Sequence, residues 1–387
     1  MGNWKTCTLG DIITFQRGHD LPKSRMRAGQ YPVVGSNGII GWHNEYTTEA
    51  PSVTVGRSGN VGNPFIYYGR SWSHNTTLYI KEYKNADPIF IYYYLKTLDL
   101  GNYAGGSAVP TLNRNHIHTL QVCVPNKIEE QRKIGNYLRI LDEKIEENEK
   151  INKNLEEQAQ ALFQEWFITN QASSNWKIGT FSDITESMIA GDWGKGSPQG
   201  NYTQQVYCIR GADIPEVKTG NKGKMPTRYI LSRNYSTKHL VDGDVVIEAS
   251  GGSPTQSTGR IAAISQSLLN RYDKGMVCTN FCKALKPKQG YSMFLYYYWQ
   301  YLYNHNVFFS YENGTTGIKN LDISGFIETE PIVLPPSELV REFDDYCKRI
   351  SDMTFANGLE SEQLSILRDS LLPKLMSGEI DVSAIDL

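Results

Sequence analysis

Two stretches of the chain repeat apolar residues every three to four positions, and two do not. From Ile134 the apolar and amide positions fall at Leu138, Leu141, Ile145, Asn148, Asn152, Leu155, Ala159, Leu162 and Trp166, a seven-residue repeat without proline and with one early glycine, Gly135. That spacing predicts one long helix with a single apolar seam. A second seam runs through Phe343, Ile350, Asn357, Leu364 and Leu371 and is expected to end near Pro373. At 1.5 Å per residue, roughly 35 residues make a helix about 50 Å long. Each seam is too apolar to face water alone, so the two helices are expected to pair as an antiparallel coiled coil. Asn148 and Asn357, at equivalent seam positions, would fix the register at some loss of stability.

The remaining blocks read as irregular β structure. Short β-branched or aromatic runs, Pro51–Val55, Phe65–Tyr68, Leu78–Ile80, Val206–Ile209 and Val245–Ile247, are bounded by Gly, Asn or Pro. Val122–Pro125 and Ile332–Pro336 read as closing strands. Tyrosine-rich segments near 88–98 and 291–303 read as one helix per block. The expected boundaries are 1–125 and 171–335 for the β-rich domains, 126–170 and 336–380 for the helices, and 381–387 for a tail.

The same pattern occurs twice. Asn3-Trp4-Lys5 with Thr8, Asp11 and Ile12 returns as Asn175-Trp176-Lys177 with Thr180, Asp183 and Ile184, at an offset of 172. Val53–Gly59 matches Val245–Gly251 at 192, Tyr92–Leu95 matches Tyr296–Trp299 at 204, and the helix seams match at 209. The offset only grows, so the second copy equals the first plus 37 inserted residues (209 less 172). Two copies are too few for a solenoid. They predict an α+β protein with two pseudo-symmetric β-rich domains separated by two long helices, built to bind something two-fold or bipartite.

Charge sharpens this picture. The 387 residues carry a net charge of only −2, yet 1–125 hold 11 basic against 7 acidic residues and 171–335 hold 16 against 13. The helical segments reverse the sign, with 7 against 10 in 126–170 and 5 against 11 in 336–387. Two mildly basic blocks on an acidic frame permit nucleic-acid binding that the whole-chain charge would argue against. No run of 18 apolar residues occurs, and the N-terminus lacks a basic and apolar leader, so a cytoplasmic protein with no membrane contact is expected. Six scattered cysteines fit reduced thiols.

Catalytic patterns are near-misses. Asp87-Pro88-Ile89-Phe90 and Asn63-Pro64-Phe65 lack the second proline of an amino-methyltransferase element, and Gly191–Ser197 lacks the spacing of a phosphate loop. Cys278 and Cys282 have no second pair or nearby histidine. His116-Ile117-His118, taken as a strand, would set both rings on one face without a third ligand. No catalytic or metal residue is expected. Binding residues are more plentiful on the glycine-rich loops: Lys23, Arg25, Arg27, Asn37, Arg57, Arg70, His74 and Asn75 in the first block. The second offers Trp193, Lys195, Arg210, Lys222, Lys224, Arg228, Arg233, Arg260, Lys319 and Asn320. Arg and Lys bond guanine O6/N7 and Asn bonds adenine N6/N7 in the major groove, while other cations hold phosphates.

In this order the motifs resemble one family. The Trp-Lys…Asp-Ile opening of each half, Val109–Asn113, Gly317–Leu321, Glu129–Ile134, Leu162–Phe167 and Leu371–Ile380 are similar to the specificity subunit of type I restriction–modification enzymes. The second copy departs at Leu339-Val340-Arg341, where Glu-Gln-Arg is usual. The resemblance implies two target recognition domains, each reading one half of a split, asymmetric double-stranded DNA target, with the helix pair setting the gap between halves. It implies docking of two modification subunits, which methylate adenine with S-adenosylmethionine, and of restriction (motor) subunits using ATP and Mg, with no cofactor in this chain. The competing readings are a coiled-coil scaffold for protein or glycan and the specificity arm of a differently organised phage-defence enzyme.

Overall fold

The computed structural model describes residues 4–106, 110–253, 255–314 and 319–382, which form two compact units. One comprises residues 1–144 and 364–387, the other residues 145–363. Val109, Gly317, Ile318 and the last five residues of the expected tail lie outside the described residues.

The first unit runs β1 (Trp4–Thr8), α1 (Leu9–Ile12), β2 (Ile13–Arg17), β3 (Tyr31–Gly35), β4 (Gly38–His43), β5 (Ser52–Gly56), β6 (Pro64–Tyr67), β7 (Trp72–Ser73) and β8 (Thr77–Tyr83). It continues through α2 (Pro88–Lys96), β9 (Ala104–Gly105), β10 (Thr111–Leu112), α3 (Arg114–His118) and β11 (Gln121–Pro125) into α4 (Ile128–Phe163). Its sheets are β2-β8-β5-β6, β4-β3-β7 with β3 and β7 parallel, and the pairs β1-β11 and β9-β10. The segment His116–His118 belongs to helix α3 rather than to a strand, because the Asn113 side chain caps a helical turn by accepting the Asn115 N–H.

The motif residues here hold the core together. Asp87 caps α2 by accepting the N–H groups of Ile89 and Phe90, with Pro88 in the first turn. Gln131 of α4 accepts the Asp87 N–H at 2.9 Å and donates to the Pro125 carbonyl at 2.9 Å, so one buried amide joins three elements. Gly135 lets α4 approach α2: a Cβ there would sit 2.8 Å from the Phe90 nitrogen. From the tyrosine cluster, Tyr94 accepts the Cys123 N–H of β11 and Tyr93 donates to Asp142 of α4.

The second unit has β12 (Lys177–Thr180), β13 (Thr185–Ala190), β14 (Tyr202–Ile209), α5 (Ile214–Lys218), β15 (Thr227–Leu231), α6 (Ser232–Lys238), β16 (Val245–Glu248), β17 (Ser250–Gly251) and β18 (Ile261–Ala263). There follow α7 (Gln266–Leu269), β19 (Met276–Cys278), β20 (Cys282–Pro287), α8 (Ser292–Asn304), β21 (Glu312–Asn313), β22 (Lys319–Leu321), α9 (Ile323–Thr329), β23 (Pro331–Leu334) and α10 (Ser337–Met376). Three of its sheets repeat those of the first unit, β13-β20-β16-β18, β15-β14-β19 with β14 and β19 parallel, and β12-β23, while β17-β22-β21 has one strand more than β9-β10. Tyr298 accepts the Val333 N–H just as Tyr94 accepts that of Cys123, and Asp183 accepts the Thr180 N–H as Asp11 accepts that of Thr8. Helices α5, α6 and α7 have no counterpart and fall in the intervals where the repeat offset grows.

The two long helices pair antiparallel. In the second unit Phe163 packs on Phe343 with ring centroids 5.9 Å apart, and Asn148 of α4 donates to the Asn357 carbonyl of α10. In the first unit Asp142 is ion-paired with Arg368, and Ile134 and Leu138 share a core with Leu375 and Met376. As the index climbs on one helix it falls on the other. Ile134, Asn148, Phe343 and Ile350 are buried, while Leu141, Leu155, Leu162, Asn357, Leu364 and Leu371 are half-buried. Helix α10 does not stop at Pro373 but continues to Met376. Pro373 costs the one bond that its missing N–H would make to the Asp369 carbonyl, and burial of Leu375 and Met376 favours the extra residues.

Candidate nucleic-acid interface

Each unit has an antiparallel strand pair with aromatic side chains on it and cationic side chains on it or on neighbouring segments. In the first, β3 and β4 leave Asn37 exposed in the connecting turn, and Ile39, Ile40 and Trp42 (51% exposed) face outward. Lys23 and Arg25 lie on a single 3-10 turn, with Arg27 beside it; the Arg27 N–H donates to Nδ1 of His43. Arg25 pairs loosely with Asp20 at 3.3 Å, and Asn75 donates to the same carboxylate at 2.7 Å. Arg70 bonds Glu49 at 2.8 Å and lies 4.6 Å over the Tyr46 ring. His74 bonds Thr76, and burial pushes its pKa below the usual histidine value, so it is neutral at pH 7.

In the second unit, β14 and β15 form the equivalent pair. Arg228 stacks 4.1 Å over Trp193 and donates to its carbonyl, and Lys195 lies 5.5 Å over Tyr202. A guanidinium held over an indole keeps its charge while its position is fixed. Lys224 and Arg233 are exposed. Other candidates from the sequence are committed inside the unit. Arg210 makes a bidentate pair with Asp213 (2.9 and 3.0 Å) and donates to the Lys224 carbonyl. Arg260 is bidentate to the buried Glu248 (2.8 and 2.6 Å). Both carboxylates hold their arginines above the usual pKa. Lys222 pairs with Glu362, Lys319 with Glu312 at 2.6 Å, and Asn320 accepts from Ser250. Asp213 lies only three residues past Arg210, a spacing that could have flagged that pair from the sequence.

The structure also places one sequence candidate, Arg57, beside cations that sequence reasoning left out. Arg17 at the end of β2, Arg57 after β5, and Arg114 and His116 of α3 line one open cleft of about 450 Å³ with Thr111 and Asn113. Among the described residues no group of three or more His, Cys, Asp or Glu is placed to hold a metal, and the Cys278 thiol meets the Cys282 carbonyl. None of their helices is long and apolar enough to cross a membrane.

A β-rich lobe with aromatic and cationic groups beside one strand pair, repeated and joined to paired helices, defines a duplicated recognition protein. Residues 1–157 match the family described as "Type I restriction modification DNA specificity domain". The chain is 26% identical over 315 residues to the type I restriction enzyme MjaIX specificity subunit of Methanocaldococcus jannaschii, covering 76% of this chain and 70% of that one. It is 23% identical over 334 residues to the type I restriction enzyme HindI specificity subunit of Haemophilus influenzae, covering 70% and 71%. In fold it is similar to the type I restriction–modification S subunit of M. genitalium, with a TM-score of 0.62 at 17% identity over 96% of both chains. Over about three quarters of its length the chain is thus similar to type I restriction–modification specificity subunits.

Proposed function

We propose that this chain selects the DNA sequence on which a type I restriction–modification complex acts, each lobe reading one half of a bipartite, asymmetric target. The observation that carries the reading is the repetition of three sheets beside unlike exposed groups: Asn37 and Trp42 in one lobe, Trp193 and Arg228 in the other. One scaffold used twice with different side chains suits a target whose halves differ. The chain acts in the cytoplasm and leaves chemistry to its partners. Two modification subunits supply adenine methylation with S-adenosylmethionine, and motor subunits supply ATP- and Mg-dependent translocation and cleavage. The helix pair sets the gap between half-sites.

The test is the salt dependence of duplex binding by the complex of this chain with its modification subunits. Neutralising six to ten phosphates gives log K against log salt a slope of about −5 to −9. A slope near zero would favour a scaffold for protein or glycan instead.

A further inference from the structure

The cleft of Arg17, Arg57 and Arg114 gathers positive charge from three separate parts of the first unit. Its lining holds three arginines and a histidine and no carboxylate. Arg57 is the telling member. It is partly buried, and among the described residues its guanidinium makes no ion pair and no side-chain hydrogen bond. Desolvation and the neighbouring Arg17 both work against its charge and lower its pKa. Folding does not ordinarily hold one cation beside another, half out of water, without an anion.

The backbone around it is firmly placed. The Arg57 N–H donates to Thr76 and its carbonyl accepts from Leu112 of β10, so the side chain leaves from a tied strand end. Helix α3, which brings Arg114 and His116, hangs on β2 through the Phe15 N–H donating to Nε2 of His118 at 3.0 Å, with the His118 ring stacked on Phe15. Arg17 lies two residues further along the same strand. Three cations are thus delivered by three separately anchored elements to one opening. In the second unit the position matched to Arg57 is Ala249, and charges nearby are paired: Glu248 takes Arg260, and Glu312 takes Lys319.

We propose that this cleft is a phosphodiester site that clamps the DNA backbone on the first lobe, with Arg57 as the central ligand and Arg17 and Arg114 flanking it. The proposal rests on the reading of the chain as a DNA-specificity subunit. A phosphate clamp positions the duplex without reading it, so its loss acts alike on every sequence.

The experiment uses the complex of this chain with its modification subunits, with duplexes carrying its mapped target or a scrambled one. In R17A/R57Q/R114A, affinity is expected to fall about tenfold or more on both duplexes, and the salt slope to flatten by about two to three units. The methylated motif should be unchanged, and R57K alone should retain most of the binding. Matched thermal melting of variant and parent excludes misfolding as the cause. Unchanged affinity and slope in the triple variant, with the parent still binding steeply, would overturn the clamp and leave the specificity reading standing. A changed base in one half-site would overturn it in favour of direct base reading by Arg57. A parent complex without salt-dependent DNA binding would overturn both.

Discussion

Exchanging residues 17–75 for the equivalent segment of a type I specificity subunit is expected to change one half of the methylated motif and leave the other half intact. The segment carries the whole β4-β3-β7 sheet, including the exposed Asn37, Ile39 and Trp42. It also brings its own buried polar pairs. The Thr48 and Ser73 hydroxyls bond at 2.6 Å, those of Ser52 and Ser71 at 2.7 Å, and the Arg27 N–H meets His43. Because these partners travel together, the graft leaves few buried groups unpaired. The second lobe draws its sheets from residues 177–334 and is untouched. Sequencing of methylated DNA reads the result, and alteration of both half-sites would refute the independence of the lobes.

Replacing Asn152 by leucine is expected to destabilise the second unit by about 2–4 kcal/mol, the cost of several buried groups losing their partner. Asn152 is 6% exposed and sits where α4, α10 and the α5 insertion meet. Its amide donates to the Thr219 and Thr354 carbonyls, both at 3.0 Å, and its oxygen accepts from Asn357 at 2.8 Å. Leucine offers none of these bonds. It also brings branched carbons to a place where backbones touch: a Cβ at Gly358 would lie 2.0 Å from the Gly220 oxygen. For a unit of this size the melting temperature should fall by about 5–10 °C, read by differential scanning calorimetry. An unchanged melting temperature would show that the amide is not a hub. The exposed Asn154, two residues away and bonded only to Gln158 of its own helix, is the control.

The frame was legible because packing imposes the same demands on both copies. The Tyr cluster, Gly135 and the glutamine of Glu129–Ile134 stand out as motif residues, and the structure gives each a mechanical task against α2, α4 or a closing strand. Asn148 and Asn357 were visible from the heptad, and Asn148 does bond across to α10. Asn152 lay on the same stripe, but its weight comes from the Thr219 carbonyl on an insertion that no periodicity predicts. The candidate site was less legible for a related reason. Whether an arginine is free depends on where carboxylates land after folding. Arg260 meets Glu248 across the β16–β18 pair, while Arg57 emerges beside Arg17 and Arg114 from distant parts of the chain. Loop composition alone treats all four alike. The two histidines of α3 were misplaced because a short alternating segment reads as strand until its asparagine cap is recognised.

The most direct measurement is methylation mapping of genomic DNA from cells expressing the modification subunit with and without this chain. A two-part motif with methylated adenines is expected to appear only when this chain is present. Identical methylation in both samples, with the complex confirmed to assemble, would contradict it.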